Sequence, residues 1–326
     1  MTIKASGSEL SFQEIEAEFG AQSPRSLGSY RHTQTVNGLT FNGIDSGVPS
    51  SGEIKFSDFY GKSLNIVVDC FSGGDEFRIN AKNNKWNNNN IVIINPSTVS
   101  KKEQGTKITI RVNKKFGSDK SNQQHCALRT GTWNNPAQII VDLGSSAEIY
   151  GAGGNGGQGA NGTTTNGFSG GDGTSGLGIE HQGTVINYRS GSLISAGFGG
   201  GGGGGAGFPF GTGGIGGTPQ AGTRQANEDI GKPGGDGNED TAGGGGSGGD
   251  NDDQAGGATG GAGGDNEQQP SAGNSDDSQG GPAGSNGAAI RKSSGVSFTF
   301  GTGALDDGEI RPSSFTNPSN AATGVA

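Results

Sequence analysis

The sequence predicts a mainly β protein with much irregular structure: a short N-terminal module with one helix, a small antiparallel β-sandwich, and a C-terminal bundle of polyglycine II helices. Three observations predict it. Residues 151–290 hold 51 of the chain's 70 glycines. Short runs rich in β-branched residues lie between residues 63 and 150. The strongest helix signal, an apolar period of 3.6 behind a start signal, lies near the N terminus.

Residues 1–62 form the predicted N-terminal module. Ser11 and Glu14 stand at the spacing of a capping box, and Gly20 is placed to end the helix that follows. One face of this helix consists of Phe12, Ile15 and Phe19. Because so short a helix is unstable alone, we expect this face to pack on the next domain or on a partner protein.

Residues 63–150 form the predicted β-sandwich. Five runs have the composition of strands, at 64–70, 91–95, 106–112, 126–130 and 138–143. Residues 106–112 alternate polar and apolar side chains, as a half-exposed strand does. Short strands separated by polar loops are typical of antiparallel sandwiches, so we expect that pairing here.

Residues 151–290 form the predicted glycine-rich domain, for which two interpretations compete. A flexible linker is the simpler one, because glycine loses the most backbone entropy on ordering. The other is a bundle of extended threefold helices, which pack closely only where side chains are absent. Apolar residues interleave with the glycine runs, which a linker does not need, and this favours the bundle. Residues 291–326 hold a final strand at 296–300 and a polar tail.

Composition excludes several classes of function. The net charge is −9, and residues 151–290 alone carry −11, which argues against nucleic-acid binding. No apolar run of about 18 residues predicts a membrane span, and we expect no signal peptide at the N terminus. Cys70 and Cys126 are expected to be buried free thiols, although a disulfide between neighbouring strands is an alternative.

No motif predicts catalysis. Residues 157–162 match a dinucleotide-binding pattern, but no strand and helix surround them. The histidines stand beside no catalytic motif, and the acidic residues 250–253 lack the spacing of a calcium loop, which favours a solvated turn over a calcium site. We therefore expect no enzyme, no cofactor and no metal.

Several segments resemble a family of virion proteins. Residues 11–20, 48–54 and 57–61 resemble an N-terminal module of tailed-phage structural proteins, marine and cyanobacterial ones especially. Residues 147–157, 183–188 and 199–205 resemble the glycine-rich part of these proteins, which is similar in kind to the tail-fibre-tip adhesins of T-even-like phages. The resemblance implies a phage tail protein whose loops between polyglycine helices touch a bacterial receptor.

The expected function is therefore host attachment by a tail-fibre or tail-tip adhesin located in the virion. The alternative is an architectural connector of the baseplate or fibre, without receptor contact. Expected partners are other tail or baseplate proteins, a protein or glycan receptor, and a homo-oligomer, with neither nucleic acid nor membrane insertion. Expected receptor-contact residues are Phe208, Phe210, Gln220, Arg224, Gln225, Asn227, Glu267, Gln268 and Gln269, and expected virion-docking residues are Phe12, Ile15, Phe19, Phe59 and Tyr60.

Overall fold

The computed structural model is mainly β, as the sequence predicts. It describes residues 3–20, 24–36, 39–70, 79–81, 91–94, 107–118, 124–133, 138–157, 159, 166–204, 271–273, 279–301, 310–311 and 321–325. Within the N-terminal module lie helix α1 (Phe12–Phe19), two 3₁₀ turns (Leu27–Ser29 and Phe56–Phe59) and an antiparallel hairpin of β1 (Thr33–Val36) and β2 (Leu39–Asn42).

The capping box that starts α1 is confirmed. The Ser11 hydroxyl accepts the Glu14 amide at 3.3 Å, and the Glu14 carboxylate accepts the Ser11 amide at 2.8 Å. The helix ends at Gly20, where φ is +90°. Buried Glu18 accepts the Leu64 amide at 3.1 Å, so α1 is tied to the start of the next part of the chain.

The capping carboxylate predicts a measurable pH response. The Lys4 ammonium, at 2.7 Å, and two hydrogen bonds from Ser11 lower the pKa of Glu14 from 4.5 to about 2. The charged form is favoured by folding, so its stabilisation is complete above pH 4.5 and is lost as the pH falls through about 2. We expect a carboxyl ¹³C titration of Glu14 with a midpoint near 2, which Ser11→Ala moves toward 4.5. A midpoint near 4.5 in the unmodified chain would contradict this assignment.

Beyond the module the chain winds through successive turns of a parallel β-helix. The first turn contains β3 (Asn65–Cys70), β4 (Ile79–Asn80) and β5 (Ile91–Ile94). Each later turn contributes three strands: β6 (Lys107–Val112), β7 (Lys115–Gly117) and β8 (Cys126–Arg129); β9 (Gln138–Leu143), β10 (Glu148–Tyr150) and β11 (Ser175–Ile179); β12 (Thr184–Asn187), β13 (Leu193–Ser195) and β14 (Ile290–Lys292); β15 (Phe298–Phe300), β16 (Ile310–Arg311) and β17 (Ala322–Thr323).

These strands stack into three sheets, one for each side of the β-helix. The first sheet has the order β15-β12-β9-β6-β3-β5, the second β16-β13-β10-β7, and the third β17-β14-β11-β8-β4. Strands from residues 63–150, 151–290 and 291–326 therefore pair within the same sheets. Apolar side chains at equivalent positions stack inside; Ile66, Ile108 and Ile139 are aligned by register and fully buried.

The predicted antiparallel sandwich is wrong, although the five predicted strands are confirmed. Neighbouring strands in the three sheets run parallel, and in this part of the described chain only β5 pairs antiparallel, with β3. The physical reason is that, from β6 onward, the chain visits the second and third sheets before it returns to the first. It then runs in the same direction as before, as crossover connections require. The alternation of polar and apolar side chains shows which face of a strand is buried. It does not show whether a neighbouring strand runs parallel or antiparallel.

Candidate functional site

The glycine-rich segments leave the β-helix at one corner, between the second and third sheets. We call them G1 (residues 151–157, after β10), G2 (166–174, before β11), G3 (196–204, after β13) and G4 (279–289, before β14). In the preceding turn the same corner, between β7 and β8, is spanned by residues 118–125 alone. The glycine-rich region is therefore a pair of long insertions into two adjacent turns.

Hydrogen bonds join these segments at every third residue. Gly151 of G1 donates to the carbonyl of Ser195, the last residue of β13, at 3.0 Å, and Gly154 and Gly157 donate to the G3 carbonyls of Phe198 and Gly201 at 2.7 and 2.8 Å. G2 donates to G4 from Gly167, Gly170 and Gly173, to Gln279, Pro282 and Ser285, each at 2.9 Å. A β-strand repeats every second residue, so a spacing of three indicates an extended backbone of another kind.

Further bonds connect the same segments in other directions. G3 donates to G2 from Gly197, Gly200 and Gly203, and G4 donates to G3 from Gly281, Gly284 and Gly287, all at 2.7 to 2.9 Å. G2 also donates to G1 from Gly171 and Thr174, at 2.7 and 2.9 Å. G2 and G3 thus each bond to all three of the other segments, whereas a strand bonds only to neighbours within one sheet.

Glycine is required at these contacts because backbone faces backbone. A Cβ built on Gly154 would overlap the carbonyl oxygen of Gly171, and one on Gly284 would overlap the same oxygen. A Cβ on Gly200 would overlap the carbonyl oxygen of Asn155. Carbonyl groups held by hydrogen bonds do not move aside as the end of a side chain does, so a methyl group cannot be accommodated at these positions.

Polar side chains close the exposed face formed by G2 and G4. Asn166 accepts the Gln279 amide at 3.2 Å, and Asp172 accepts the Ser285 amide at 2.8 Å. Pro282 lies midway between Gln279 and Ser285 in G4, three residues from each, and it has no amide hydrogen that needs an acceptor. These non-glycine residues therefore satisfy or remove the donors that an outer helix would leave unpaired.

All nine expected receptor-contact residues lie in 205–270, outside the described residues. The described residues on either side of that segment lie together, because Gly202 donates to the Ser271 carbonyl at 3.0 Å. Phe168, 56% exposed, lies near this end of the segments, since its carbonyl accepts the Gly203 amide at 2.9 Å. Sequence reasoning missed Phe168, although its setting in Asn-Gly-Phe-Ser-Gly resembles that of the expected contact Phe208.

The expected docking residues form an aromatic cluster within the N-terminal module. Ile15, Phe19 and Phe59 are buried, and the rings of Phe19 and Phe59 lie 5.8 Å apart. Phe12 is half-buried, 5.8 Å from the ring of the 38% exposed Phe56, and the Arg25 guanidinium lies over Phe12. The hydroxyl of half-buried Tyr60 donates to the Ser8 carbonyl. We call the exposed group of Phe12, Phe56 and Arg25 the aromatic patch.

Both thiols of the chain are buried in the structure. Cys70 and Cys126 are buried free thiols, and burial raises the pKa of both, that of Cys126 to about 12. Neither is a nucleophile near neutral pH. The described ranges contain no group of three His, Cys, Asp or Glu side chains able to hold a metal ion. Residues 250–253 lie outside the described residues.

The chain is similar to a known protein family and to a solved structure. The family model described as phage tail fibre adhesin Gp38 matches residues 76–314. A chain of the gp37–gp38 adhesin tip complex of the bacteriophage S16 long tail fiber is similar, with a TM-score of 0.42 and 22% identity over 81% of this chain and 88% of that one. No curated protein matches the chain. Across the described residues, no helix combines the length and hydropathy needed to cross a membrane.

Proposed function

The chain belongs to the Gp38 family of phage tail fibre adhesins, and from this we propose that G1 to G4 form a polyglycine II bundle that presents loops to a receptor on the host surface. The observation that carries the proposal is the spacing of three in the hydrogen bonds between glycine segments. A threefold extended helix has its amides on three sides, so one segment bonds to several neighbours at once.

The proposed bundle holds its loops away from the β-helix. At about 3.1 Å per residue, the nine residues of G3 span roughly 28 Å. The described residues that flank 205–270 lie together at the far end of G3, since Gly202 donates to the Ser271 carbonyl, and this supports receptor contact at that end. We propose that their polar and aromatic side chains contact the receptor: Phe208, Phe210, Gln220, Arg224, Gln225, Asn227, Glu267, Gln268 and Gln269.

Phe168 extends the proposed contact surface. Its side chain is 56% exposed, and aromatic side chains are enriched in protein interfaces, which supports a contact role beside the proposed receptor segment. Its carbonyl accepts the Gly203 amide, so it lies beside one of the last described residues before this segment. The role is binding without catalysis, and family membership favours an adhesin over the alternative of an architectural connector.

The opposite end of the chain is proposed to dock on another tail protein. Buried Ile15, Phe19 and Phe59 support the N-terminal module from inside, so they act through its shape. Contact with the partner is then made by the aromatic patch and by Tyr60, which remain partly accessible. This arrangement separates the proposed receptor contacts in residues 205–270 from the proposed virion attachment in the N-terminal module. It agrees with a location of the protein in the tail of the particle.

Replacement of residues 205–270 tests the adhesin function. Since Gly202 bonds to Ser271, a short Gly-Ser linker from Gly204 to Ser271 closes the gap without strain on the bundle. We expect phage with this change to lose adsorption to host cells, while the purified chain keeps its circular dichroism and melting temperature. Phage carrying Lys55→Gln, a change at an exposed side chain of the module, serves as the control. Unchanged adsorption after loop replacement would reject receptor contact by these residues.

A further inference from the structure

A polar groove separates the N-terminal module from the outer face of the first sheet. Its volume of about 650 Å³ is within the range of small-molecule sites, which often lie where two parts of a chain meet. The module lines it with His32 and Lys62, among others, and the sheet with residues that include Asn65, Lys107 and Thr109. We call it the module groove.

The sheet side of the module groove has regular dimensions. Asn65 is paired with Lys107, and Val67 with Thr109, in the parallel register of β3 and β6. Alternate residues on a strand face the same side, so Lys107 and Thr109 are about 6.6 Å apart along β6, with Asn65 and Val67 about 4.8 Å across. Three of the four residues of this rectangle, Asn65, Lys107 and Thr109, carry polar side chains, and the fourth, Val67, is buried.

Two side chains that line the module groove can accept a further hydrogen bond. The Asn65 side chain donates through Nδ2 to the Asn42 carbonyl at 3.1 Å, which identifies its other atom as the oxygen. That oxygen is buried and accepts no hydrogen bond from the described part of the chain, a costly state that a ligand donor would relieve. His32 Nδ1 lies 2.6 Å from the Ile44 carbonyl, so this nitrogen carries the proton and the neutral ring keeps Nε2 as an acceptor.

The charges that line the module groove are not balanced. Arg111 is paired with Asp69 at 3.0 Å, and Asp142 with Arg189 at 3.0 Å. Lys62 donates to the Ser46 carbonyl, and neither Lys62 nor Lys107 has a carboxylate within 4.0 Å in the described ranges. The groove lining therefore contains two ammonium groups without a carboxylate partner among the described residues, and its one carboxylate outside the two ion pairs is that of Asp45. A ligand with an anionic group fits this excess of positive charge.

We propose that the module groove binds an acidic saccharide. The ammonium groups of Lys62 and Lys107 hold its carboxylate, and its hydroxyl groups, which both donate and accept, meet the Asn65 oxygen and the Thr109 hydroxyl. The groove belongs to the module and the first sheet, so this inference goes beyond receptor contact by the glycine-rich insertions and does not depend on it.

Titration of the full ¹⁵N-labelled chain with glucuronate tests the proposal. We expect saturable shifts at the Asn65 side-chain amide and along β6, and an affinity that falls at least about tenfold in Lys107→Gln and in Lys62→Gln. Both lysines are polar groups of the groove lining, so these variants are expected to fold. Lys55→Gln, which removes an ammonium group paired with Glu53 outside the groove, should leave the affinity unchanged.

Neutral glucose and acetate complete the experiment. We expect each to bind at least about tenfold more weakly than glucuronate, since one lacks the charge and the other the hydroxyl groups. Equal binding of either compound, equal affinity in both lysine variants, or no shifts at tens of millimolar glucuronate would overturn the proposal. None of these measurements involves host cells. If they overturn the acidic-saccharide proposal, the adhesin function is still decided by the adsorption experiment.

Discussion

Gly200→Ala is expected to disrupt the packing of the glycine segments. Gly200 donates to the Gly171 carbonyl at 2.9 Å and accepts the Gly284 amide at 2.8 Å, while an added Cβ would overlap the Asn155 carbonyl. Backbone therefore surrounds this position on several sides. Because no side chain can rotate away, we expect a destabilisation at or above the upper end of the roughly 1–3 kcal/mol that overpacking usually costs.

Amide hydrogen exchange measures this effect locally. In Gly200→Ala we expect residues 197–204 and 279–289 to lose protection, while the strands β6 and β9 keep theirs, since they lie outside the insertions. Ser169→Ala, at an exposed position of G2, is the matched control and should exchange as the unmodified chain does. Unaltered protection around Gly200 would mean that the segments do not pack as closely as their hydrogen bonds indicate.

Ile139→Ala is expected to destabilise the β-helix by about 2–5 kcal/mol, the usual range for removing a large aliphatic side chain from a core. Ile139 is fully buried and is aligned with Ile108, which is aligned with Ile66 in the strand beyond. Removal of its side chain opens a cavity inside a stack of similar residues, and the hydrogen-bonded strands on both sides limit collapse around it.

Denaturant unfolding monitored by circular dichroism measures the loss of stability. Gln138→Ala, at the exposed first position of the same strand, should change the free energy of unfolding by no more than about 0.5 kcal/mol. The contrast between adjacent residues of one strand isolates burial as the cause. A change for Ile139→Ala as small as that for Gln138→Ala would show that this stack does not stabilise the fold.

Local signals in the sequence were sufficient for α1 and for the longer strands, but not for short strands such as β7 and β10 or for the arrangement of the strands. The capping box of α1 and the alternation in residues 107–112 depend on neighbours a few residues apart, and both were predicted correctly. The direction of pairing between β6 and β9 depends on the path of residues 113–137 through the other two sheets. No pattern within a single strand records that path.

The candidate site, too, could be predicted only in part from the sequence. Glycine runs predicted close approach of backbones, and the clashes at Gly154, Gly200 and Gly284 have that origin. That the runs occupy one corner of two adjacent turns could not be predicted, since the corner exists only once the turns stack. That Phe168 lies beside Gly203 could not be predicted either, since the two residues are distant in the sequence. Contact of residues 205–270 with a receptor, and docking by the aromatic patch, remain predictions.

The sequence by itself determined where the first helix and the longer strands form, and where side chains had to be absent. It did so because period, capping and steric size are properties of neighbouring residues. Only the tertiary structure decided that the strands run parallel around three sides, that two turns carry the glycine-rich insertions, and that Asn65 and Lys107 line one groove with Lys62. These outcomes join residues far apart in the chain, and the contacts that create them exist only after the turns have stacked on each other.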